Sequence, residues 1–579
     1  MAKILGVNLS HYGSAAVVID GRIVAAVGEE RINRIKNWAG FPKNAIHEVL
    51  RIAGVSAGEI DEIAVGTRCE IFIPNKAQDK EYRPLTRLIS FLSRFIPTAI
   101  LGSHLSRQLY VQIVSRSREK EYRNAFQSFF RDLGVPDLRI HIYDHHTCHA
   151  AAAHFLKPWE EKTLVFTNDG LGDGLCATVS IGDHNGFRRQ VEITAIHSIG
   201  GIYSRTTRFL GLRPWNDEYK VMGLAPYANP THAAPVVDFF RRFFVVKNRE
   251  FRFQINHLGE QFIRFLNKNL ENTRFDHIAL GLQTMAEEVV CQWVRANIEH
   301  TGISRIAFAG GVGLNVKINK AVGELKNVRD MFVFPAAGDD SISIGAALLA
   351  DRNLTEQKGD LFLPKKLTHL YLGTDAADDL HATLGKMDPN SYRITRSHDP
   401  NSAVAELLAQ GEIIARCAGP MEYGPRALGN RSILSDPSRL ENVRLINQAI
   451  KNRDFWMPFA PIILDRCADS YLINPKKLRA LYMVHAFETR PERRHEIHAA
   501  IHQADATARP QILECQFNPL LYDLLEKFEQ KTGIGALLNT SFNLHGFPIV
   551  RTSQDAVAVM EKSGLRYLLL CDYLIEKLA

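Results

Sequence analysis

The chain opens with apolar Ile4, Leu5 and Val7, a short strand that closes at Asn8. Two apolar runs follow, residues 15–19 and 23–27, joined by Asp20-Gly21. An Asp-Gly pair tolerates the positive φ of a tight turn, so the pattern predicts a β-hairpin. Residues 140–143 read as a strand end, and the Ala-rich stretch after Asp144 as a helix, alanine having the best helix propensity. Residues 164–167 predict another strand, running into the acidic, Gly-rich turn from Asn168 to Gly174. Leu282, Met285, Val289, Trp293 and Ile298 recur at helical spacing and predict a core-facing helix. Residues 305–309 and 331–335 predict two further strands. The first passes into Gly310-Gly311 and a helix start, the second into Gly338-Asp339-Asp340-Ser341 and a small-residue helix through Gly345. Two acidic strand ends of this kind fit a duplicated α/β fold whose acidic ends meet across a cleft. Residues 351–367 are polar and contain proline, which places a domain boundary there; strands and helices then alternate to Leu578.

At 579 residues the chain is too long for one core, and two domains are expected. With 46% apolar and 23% charged residues it has the composition of a globular protein. The net charge of +7 suits anionic small substrates, but no Lys/Arg stripe with interleaved aromatics points to nucleic acid. Much of the excess, including Arg116, Arg118, Lys120, Arg123 and Arg131, falls in residues 107–139 and reads as a solvated helical face with aromatics turned inward. The eight cysteines are scattered without a Cys-x-x-Cys pair, as in a reducing compartment. No leader pattern opens the chain and no stretch approaches 18 apolar residues, so a cytoplasmic protein without a membrane span is expected.

The chemical signals are local. His145 and His149 lie one turn apart on one helix face, a spacing that can bind one metal ion. Asp169, at the next strand end, can add an oxygen ligand. The first strand leads into a polar turn, Ser10-His11-Tyr12-Gly13-Ser14, and the turn at Gly310-Gly311 offers backbone N–H groups to an anion. In the second half Arg426, Arg431, Lys451, Arg453 and Arg509 sit in Gly-, Pro- and Ser-containing stretches, with Asn539 and Ser541 further on. Arginine forks and a lysine point charge are what a polyphosphate needs. No Gly-x-x-x-x-Gly-Lys-Ser/Thr loop is present.

The opening strand, turn and hairpin are similar to the start of ribonuclease-H-like folds, as in sugar kinases and actin-like ATPases. Longer stretches make a closer match: His145-His146…His149-Ala150-Ala151, Asp169-Gly170…Gly172-Asp173-Gly174, residues 218–227, Gly310-Gly311-Val312…Leu314-Asn315, residues 335–339, residues 424–432 and residues 538–543. Through them nearly the whole chain resembles the O-carbamoyltransferases of antibiotic and nodulation-factor biosynthesis, the NodU/CmcH type. The resemblance implies a duplicated ribonuclease-H-like (ASKHA) domain over residues 1–355, like that of tRNA threonylcarbamoyl-transferring enzymes. It implies a YrdC-like α/β domain over residues 365–579. The second domain is expected to make carbamoyl adenylate from carbamoyl phosphate and ATP with Mg. The first is expected to pass the carbamoyl group to a small-molecule alcohol beside an iron-type ion, Fe(II) or, by ligand type, Zn or Mn.

Carried over by motif, the metal ligands are His145, His149, Asp169 and Asp339, with Asp340 the runner-up for the last. His11 matches the histidine near the transfer site and is the candidate base. Arg426, Lys451, Arg509 and Ser541 are expected at the adenylating site, with Arg431 and Asn539 nearby. Gly310, Gly311 and Asn315 are counted among the cofactor-binding positions. Tyr203, Arg205, Arg208, Trp215 and Tyr219 lie in a stretch that could face the acceptor, folding reasons serving each equally well. Three positions depart from the pattern: Pro420 and Met457 stand where arginine is common, Phe547 where glutamate is. They could reshape the carbamoyl-phosphate pocket. A homodimer is what the family suggests. The competing readings are a tRNA-modifying threonylcarbamoyl transferase and a nucleotide-binding relative without donor chemistry.

Overall fold

A computed structural model describes residues 2–69, 102–135 and 137–578. The parts of the expected 1–355 domain at residues 1, 70–101 and 136 lie outside the described residues. The chain forms two compact α/β units, one of Met1–Glu29 and Asn37–Leu367, the other of Glu30–Lys36 and Thr368–Ala579.

The first unit begins with β1 (Lys3–Asn8), β2 (Ser14–Ile19) and β3 (Arg22–Gly28), antiparallel in turn. Asp20 and Gly21 at the hairpin both take positive φ, 46° and 73°, as the Asp-Gly pair predicts. After helix α1 (Lys43–Ala53), β4 (Glu62–Val65) joins β1 in parallel, and β5 (Ile140–Ile142) joins β4. The basic stretch forms α2 (His104–Asp132), which buries Tyr122, Phe126, Phe129 and Phe130 and turns most of its charges outward. The sheet order is β3-β2-β1-β4-β5.

After α3 (His145–Phe155) a second sheet repeats this plan. Strands β6 (Thr163–Gly172), β7 (Leu175–Asp183) and β8 (Gly186–Thr194) are antiparallel in turn. Helices α4 (Ile199–Phe209) and α5 (Phe275–Thr301) follow, then β9 (Arg305–Ala309), α6 (Val316–Glu324), β10 (Asp330–Val333) and α7 (Asp340–Gln357). Strand β9 pairs with β6 and β10 with β9, both in parallel. The order β8-β7-β6-β9-β10 therefore matches the first sheet strand for strand in direction.

Helix α7 packs on β1, β2 and β4, helix α3 on β6 and β9, and the two helices on each other. Glycines permit this closeness. A Cβ on Gly345 would lie 1.9 Å from the Cys148 carbonyl, and one on Gly6 1.9 Å from that of Ser343. Alanines 150–153, 346 and 347 are all buried and keep both helices narrow where they pack. The N-terminus of α3, the end of β6 and the start of α7 thereby converge.

The boundary lies at the far edge of the polar stretch. Helix α7 runs on to Gln357, and residues 358–367 stay with the first unit. Lys365 N donates to Gly21 O (2.9 Å), and the Phe362 ring meets Phe155 edge-on at 5.3 Å.

The second unit is built on an eight-stranded sheet of β11 (Tyr392–Arg396), β12 (Ile414–Cys417), β13 (Arg431–Ser435), β14 (Ala460–Leu464), β15 (Gln511–Leu513), β16 (Ala536–Ser541), β17 (Tyr567–Leu570) and β18 (Tyr573–Lys577). Its order is β11-β18-β17-β12-β13-β16-β14-β15. Ala415, Cys417, Ile433, Leu538, Leu568 and Leu570 on one face join the core. By alternation the other face carries Arg416, Ser432, Asn539, Ser541 and Gln511.

Candidate functional site

Two carboxylates set the start of α3. Asp144 accepts from Thr147 N (2.9 Å) and is held by Arg189 and Arg107. Asp173 accepts from His145 N (2.8 Å), Cys69 N (2.8 Å) and Arg68 N (2.9 Å). The first N–H groups of a helix need such partners, and here they fix where the two histidines begin.

His145, His149, Asp169 and Asp339 are all buried and offer ligand atoms within 4.8 Å of one another. The His145 and His149 Nε2 atoms are 3.1 Å apart, and His145 Nε2 is 3.4 Å from Asp169 Oδ2. Asp339 Oδ1 lies 3.9 Å from both imidazoles. With metal–nitrogen bonds of about 2.0–2.1 Å, two nitrogens on one ion stand roughly 3.0–3.4 Å apart, so the spacing fits. Ser341 Oγ engages His149 Nδ1 at 2.6 Å, leaving Nε2 to face the cluster. Ser10 Oγ donates to Asp339 Oδ2 (2.7 Å), and Asn8 Nδ2 to Asp339 O (3.1 Å) and His11 O (2.8 Å). Asp340, which opens α7, stays outside the cluster.

The electrostatics favour a cation. Burial and the neighbouring Asp169 charge push the Asp339 carboxyl above its usual range. Burial acts the same way on Asp169, but the His145 hydrogen bond and the charges of His149 and His145 hold it below. Burial foremost, then His145, keeps His149 well below its ordinary value. A divalent ion would satisfy both acids while both imidazoles stay neutral.

His11 lies outside the donor cluster, in the turn between β1 and β2. Desolvation lowers its pKa, and the Asp169 charge works the other way. Its ring lies near-parallel to that of Trp215, 22° between planes and 6.1 Å between centroids. Of the expected acceptor stretch, Tyr203 is buried and donates to Gln283 Oε1 (2.8 Å), and Arg208 pairs with Glu260 at the surface. Arg205 is half-buried, and Trp215 and Tyr219 are exposed.

The glycine turn departs from expectation. Gly311 N–H donates to Asp169 Oδ1 (2.7 Å) and Gly310 N–H to Ala337 O (2.7 Å). Asn315 caps α6 through Lys317 N and Ile318 N and donates to Gln283 Oε1 (3.0 Å). The anion at this turn is the chain's own carboxylate. Gly310, Gly311 and Asn315 thus hold the site in shape and do not present these groups to a cofactor.

In the second unit Lys451 is buried, and its Nζ donates to Ser541 O, Ser541 Oγ (3.1 Å), Asn543 Oδ1 (2.8 Å) and Asn543 O (3.2 Å). Burial, Arg453 and Lys36 lower its pKa. Burial, Arg426 and Arg453 do the same to Arg509, so these cations crowd one another. The loop bearing Arg426 is pinned from below. Glu422 Oε1 accepts from the N–H groups of Leu428, Asn430 and Arg431, and Asn539 Nδ2 donates to Ala427 O (2.9 Å).

Arg431 departs from its expected role. It is wholly buried, and its guanidinium donates to the carbonyls of Ala418, Gly419, Asn430, Arg551 and Thr374. It braces the loops and is not placed to meet a ligand. Of the three departures, Pro420 O accepts from Asn430 Nδ2 (2.8 Å), Met457 is half-buried, and Phe547 is exposed, its carbonyl accepting from Asn543 Nδ2 (2.7 Å).

Sequence reasoning missed Asn8, Ser10, Asp173 and Ser341 as supports. Each lies in or beside a quoted motif, but a small polar residue beside a ligand carries no pattern of its own.

The family follows from comparison. The profile of the carbamoyltransferase N-terminus matches residues 3–348, and that of the carbamoyltransferase C-terminus residues 405–577. The chain belongs to the carbamoyltransferase family, of the NodU/CmcH type. It is 32% identical over 574 residues to the nodulation protein NolNO of Sinorhizobium fredii, covering 98% of this chain and 79% of that protein. It is 29% identical to the 3'-hydroxymethylcephem-O-carbamoyltransferase of Amycolatopsis lactamdurans over 45% of this chain and 47% of that one. It is 32% identical to nodulation protein U of Rhizobium tropici over 45% and 41%. Among the described residues no helix is long and apolar enough to cross a membrane.

Proposed function

We propose that the chain is an ATP- and metal-dependent O-carbamoyltransferase of the cytoplasm that acts on a hydroxyl of a small natural-product acceptor. The names of its cephem and nodulation relatives support that setting. The repeated strand order supports a duplicated ribonuclease-H-like, actin-like first unit, and the family match supports a YrdC-like second unit.

In the second unit carbamoyl phosphate loses phosphate to water, leaving carbamate. A carbamate oxygen attacks the α-phosphorus of ATP, Mg-bound, and pyrophosphate leaves. Carbamate alone is a poor acyl donor, and adenylation gives it AMP as leaving group. Lys451, Arg426 and Arg509 neutralise the phosphate charge that builds as the bond to pyrophosphate breaks. Ser541 and Asn543 hold the Lys451 ammonium in place. The observation that carries the reading is this crowd of cations around Lys451 and Arg509, whose mutual repulsion an anionic ligand relieves.

In the first unit His145, His149, Asp169 and Asp339 hold the metal, Fe(II) or by ligand type Zn or Mn, which supplies Lewis-acid polarisation. His11, kept neutral by desolvation, takes the proton of the acceptor hydroxyl as that oxygen attacks the carbamoyl carbon and AMP departs.

The test is ATP–pyrophosphate exchange by the purified chain without acceptor. Exchange that requires carbamoyl phosphate and disappears in Lys451→Ala is expected. A folded chain that binds ATP and shows no exchange would sink the donor half of this reading.

A further inference from the structure

We propose that Arg34 is a positioning residue of the adenylating site, holding Lys451 in place through the loop of residues 543–549. This rests on the donor reading above.

Arg34 lies in Glu30–Lys36, the segment that follows β3 and packs with the second unit. Apolar burial does not anchor it there, since Ile32 is half-buried and Ile35 is 46% exposed. Its arginines do. Arg31 is buried, and its Nη2 donates to Gly424 O (2.6 Å), two residues before Arg426. Arg34 Nη1 donates to Ile549 O (2.7 Å) and Nη2 to Pro548 O (2.9 Å), with Asp555 Oδ2 3.7 Å from Nη1. Residues 548 and 549 belong to no strand, so the guanidinium fork serves two successive carbonyls as a neighbouring strand would.

Covalent and hydrogen bonds then lead from Pro548 to Lys451. Phe547 O accepts from Asn543 Nδ2 (2.7 Å), and Asn543 Oδ1 accepts from Lys451 Nζ (2.8 Å) and Ser541 Oγ (2.6 Å). Val550 N donates to Phe542 O (2.9 Å) and closes the loop. Shifting the limb of residues 547–549 therefore shifts the carbonyl that orients the Asn543 amide, and with it the oxygen that holds the ammonium.

The backbone and the charges agree with this placement. Arg34 takes φ of 61°, a left-handed conformation that long side chains rarely adopt. Such positions persist where their surroundings over-determine them, and they gather at functional sites. Burial foremost lowers the Arg34 pKa, the Asp555 charge opposing it and the Arg31 charge adding to it. The fork is thus kept on the two carbonyls against a desolvation cost. Lys451 faces phosphate charge that grows as the bond to pyrophosphate breaks. A displaced Lys451 leaves Arg426 and Arg509 to bind ATP but stabilises the transition state less.

The experiment measures carbamoyl-phosphate-dependent ATP–pyrophosphate exchange by the full chain as wild type, Arg34→Ala, Asn543→Ala and the double variant. Each single substitution is expected to lower kcat roughly 10- to 100-fold, with KM for ATP within about threefold. The double variant is expected to be no slower than the slower single one, because both act through one chain of contacts. Single effects that multiply in the double variant, or a raised KM at unchanged kcat, overturn the proposal. Arg34→Lys keeps the charge without the fork and is expected to fall between wild type and Arg34→Ala; a wild-type rate overturns the proposal as well. A second reading needs no turnover. Acetylation of Lys451 by acetic anhydride, located by mass spectrometry, is expected to be roughly tenfold faster in Arg34→Ala. Lys157, buried in the first unit, is expected to label as in wild type. Unchanged labelling of Lys451, or equal gains at both lysines, overturns the proposal. Faster labelling of Lys451 alone, in a chain whose wild type shows no exchange, overturns the donor reading alone. Normal wild-type exchange with kcat and labelling unmoved in Arg34→Ala overturns the role of Arg34 alone.

Discussion

At the scale of single residues, the donor cluster depends on hydroxyl and carboxylate neighbours that ligate nothing. Ser341 fixes one nitrogen of His149 and so decides which nitrogen faces the cluster. Ser341→Ala is expected to lower metal affinity about 10- to 100-fold, as loss of such supports does, read as metal retained after dialysis against a chelator. Retention equal to wild type would show that the helix alone orients the ring. Asp144 makes a pH-dependent contribution. Burial raises its pKa, but the Arg189 charge and hydrogen bond outweigh that and hold it below the usual carboxylate range. A carboxyl depressed in the folded state stabilises fully above its unfolded value of about 3.9 and loses that stabilisation as pH falls through the folded value. Asp144→Ala should therefore cost about 2 kcal/mol at neutral pH in urea unfolding, from the lost cap and ion pair together. The gap to wild type should narrow in acid below about pH 4, and a pH-independent gap would assign it to packing.

At the scale of elements, the site is a by-product of how closely α7 and α3 approach. Because the Gly345 position leaves no room for a Cβ, Gly345→Ala must drive α7 away from α3, and with it Asp339 and Ser341 away from His149. A destabilisation of about 3 kcal/mol in thermal unfolding is expected, with metal affinity lost in the same variant. Stability lost with affinity intact would mean that the strand ends, not the helices, set the cluster. The sequence made some of these elements plain. Asp20-Gly21 marked the hairpin because few other pairs accept two positive φ angles, and the acidic ends of β6 and β10 showed because strands seldom carry such runs. Other features were hidden for a physical reason. Glu30–Lys36 belongs to the second unit, held by Arg31 on Gly424 O (2.6 Å) and Arg34 on Ile549 O (2.7 Å), partners hundreds of residues away. In sequence that segment is only a block of charge. Gly310-Gly311 misled in the same way, since a turn that can greet a phosphate can equally greet Asp169.

At the scale of the whole molecule, the chain divides its chemistry between two units, each with its own core and its own charged cluster. The first unit gathers acids and imidazoles, which favour a cation; the second gathers cations, which favour phosphates. No described residue belongs to both clusters. If each cluster is complete within its unit, damage to one should leave the ligand of the other bound. Asp169→Asn is expected to lose metal while retaining carbamoyl-phosphate-dependent ATP–pyrophosphate exchange within about twofold. Lys451→Ala is expected to lose exchange while retaining wild-type metal content. Both quantities are measured without an acceptor, so the result does not depend on knowing what the enzyme carbamoylates. Loss of exchange in Asp169→Asn, with the second unit still folded, would show that adenylation needs the metal-binding unit intact. The two half-reactions would then be one machine and not two in series.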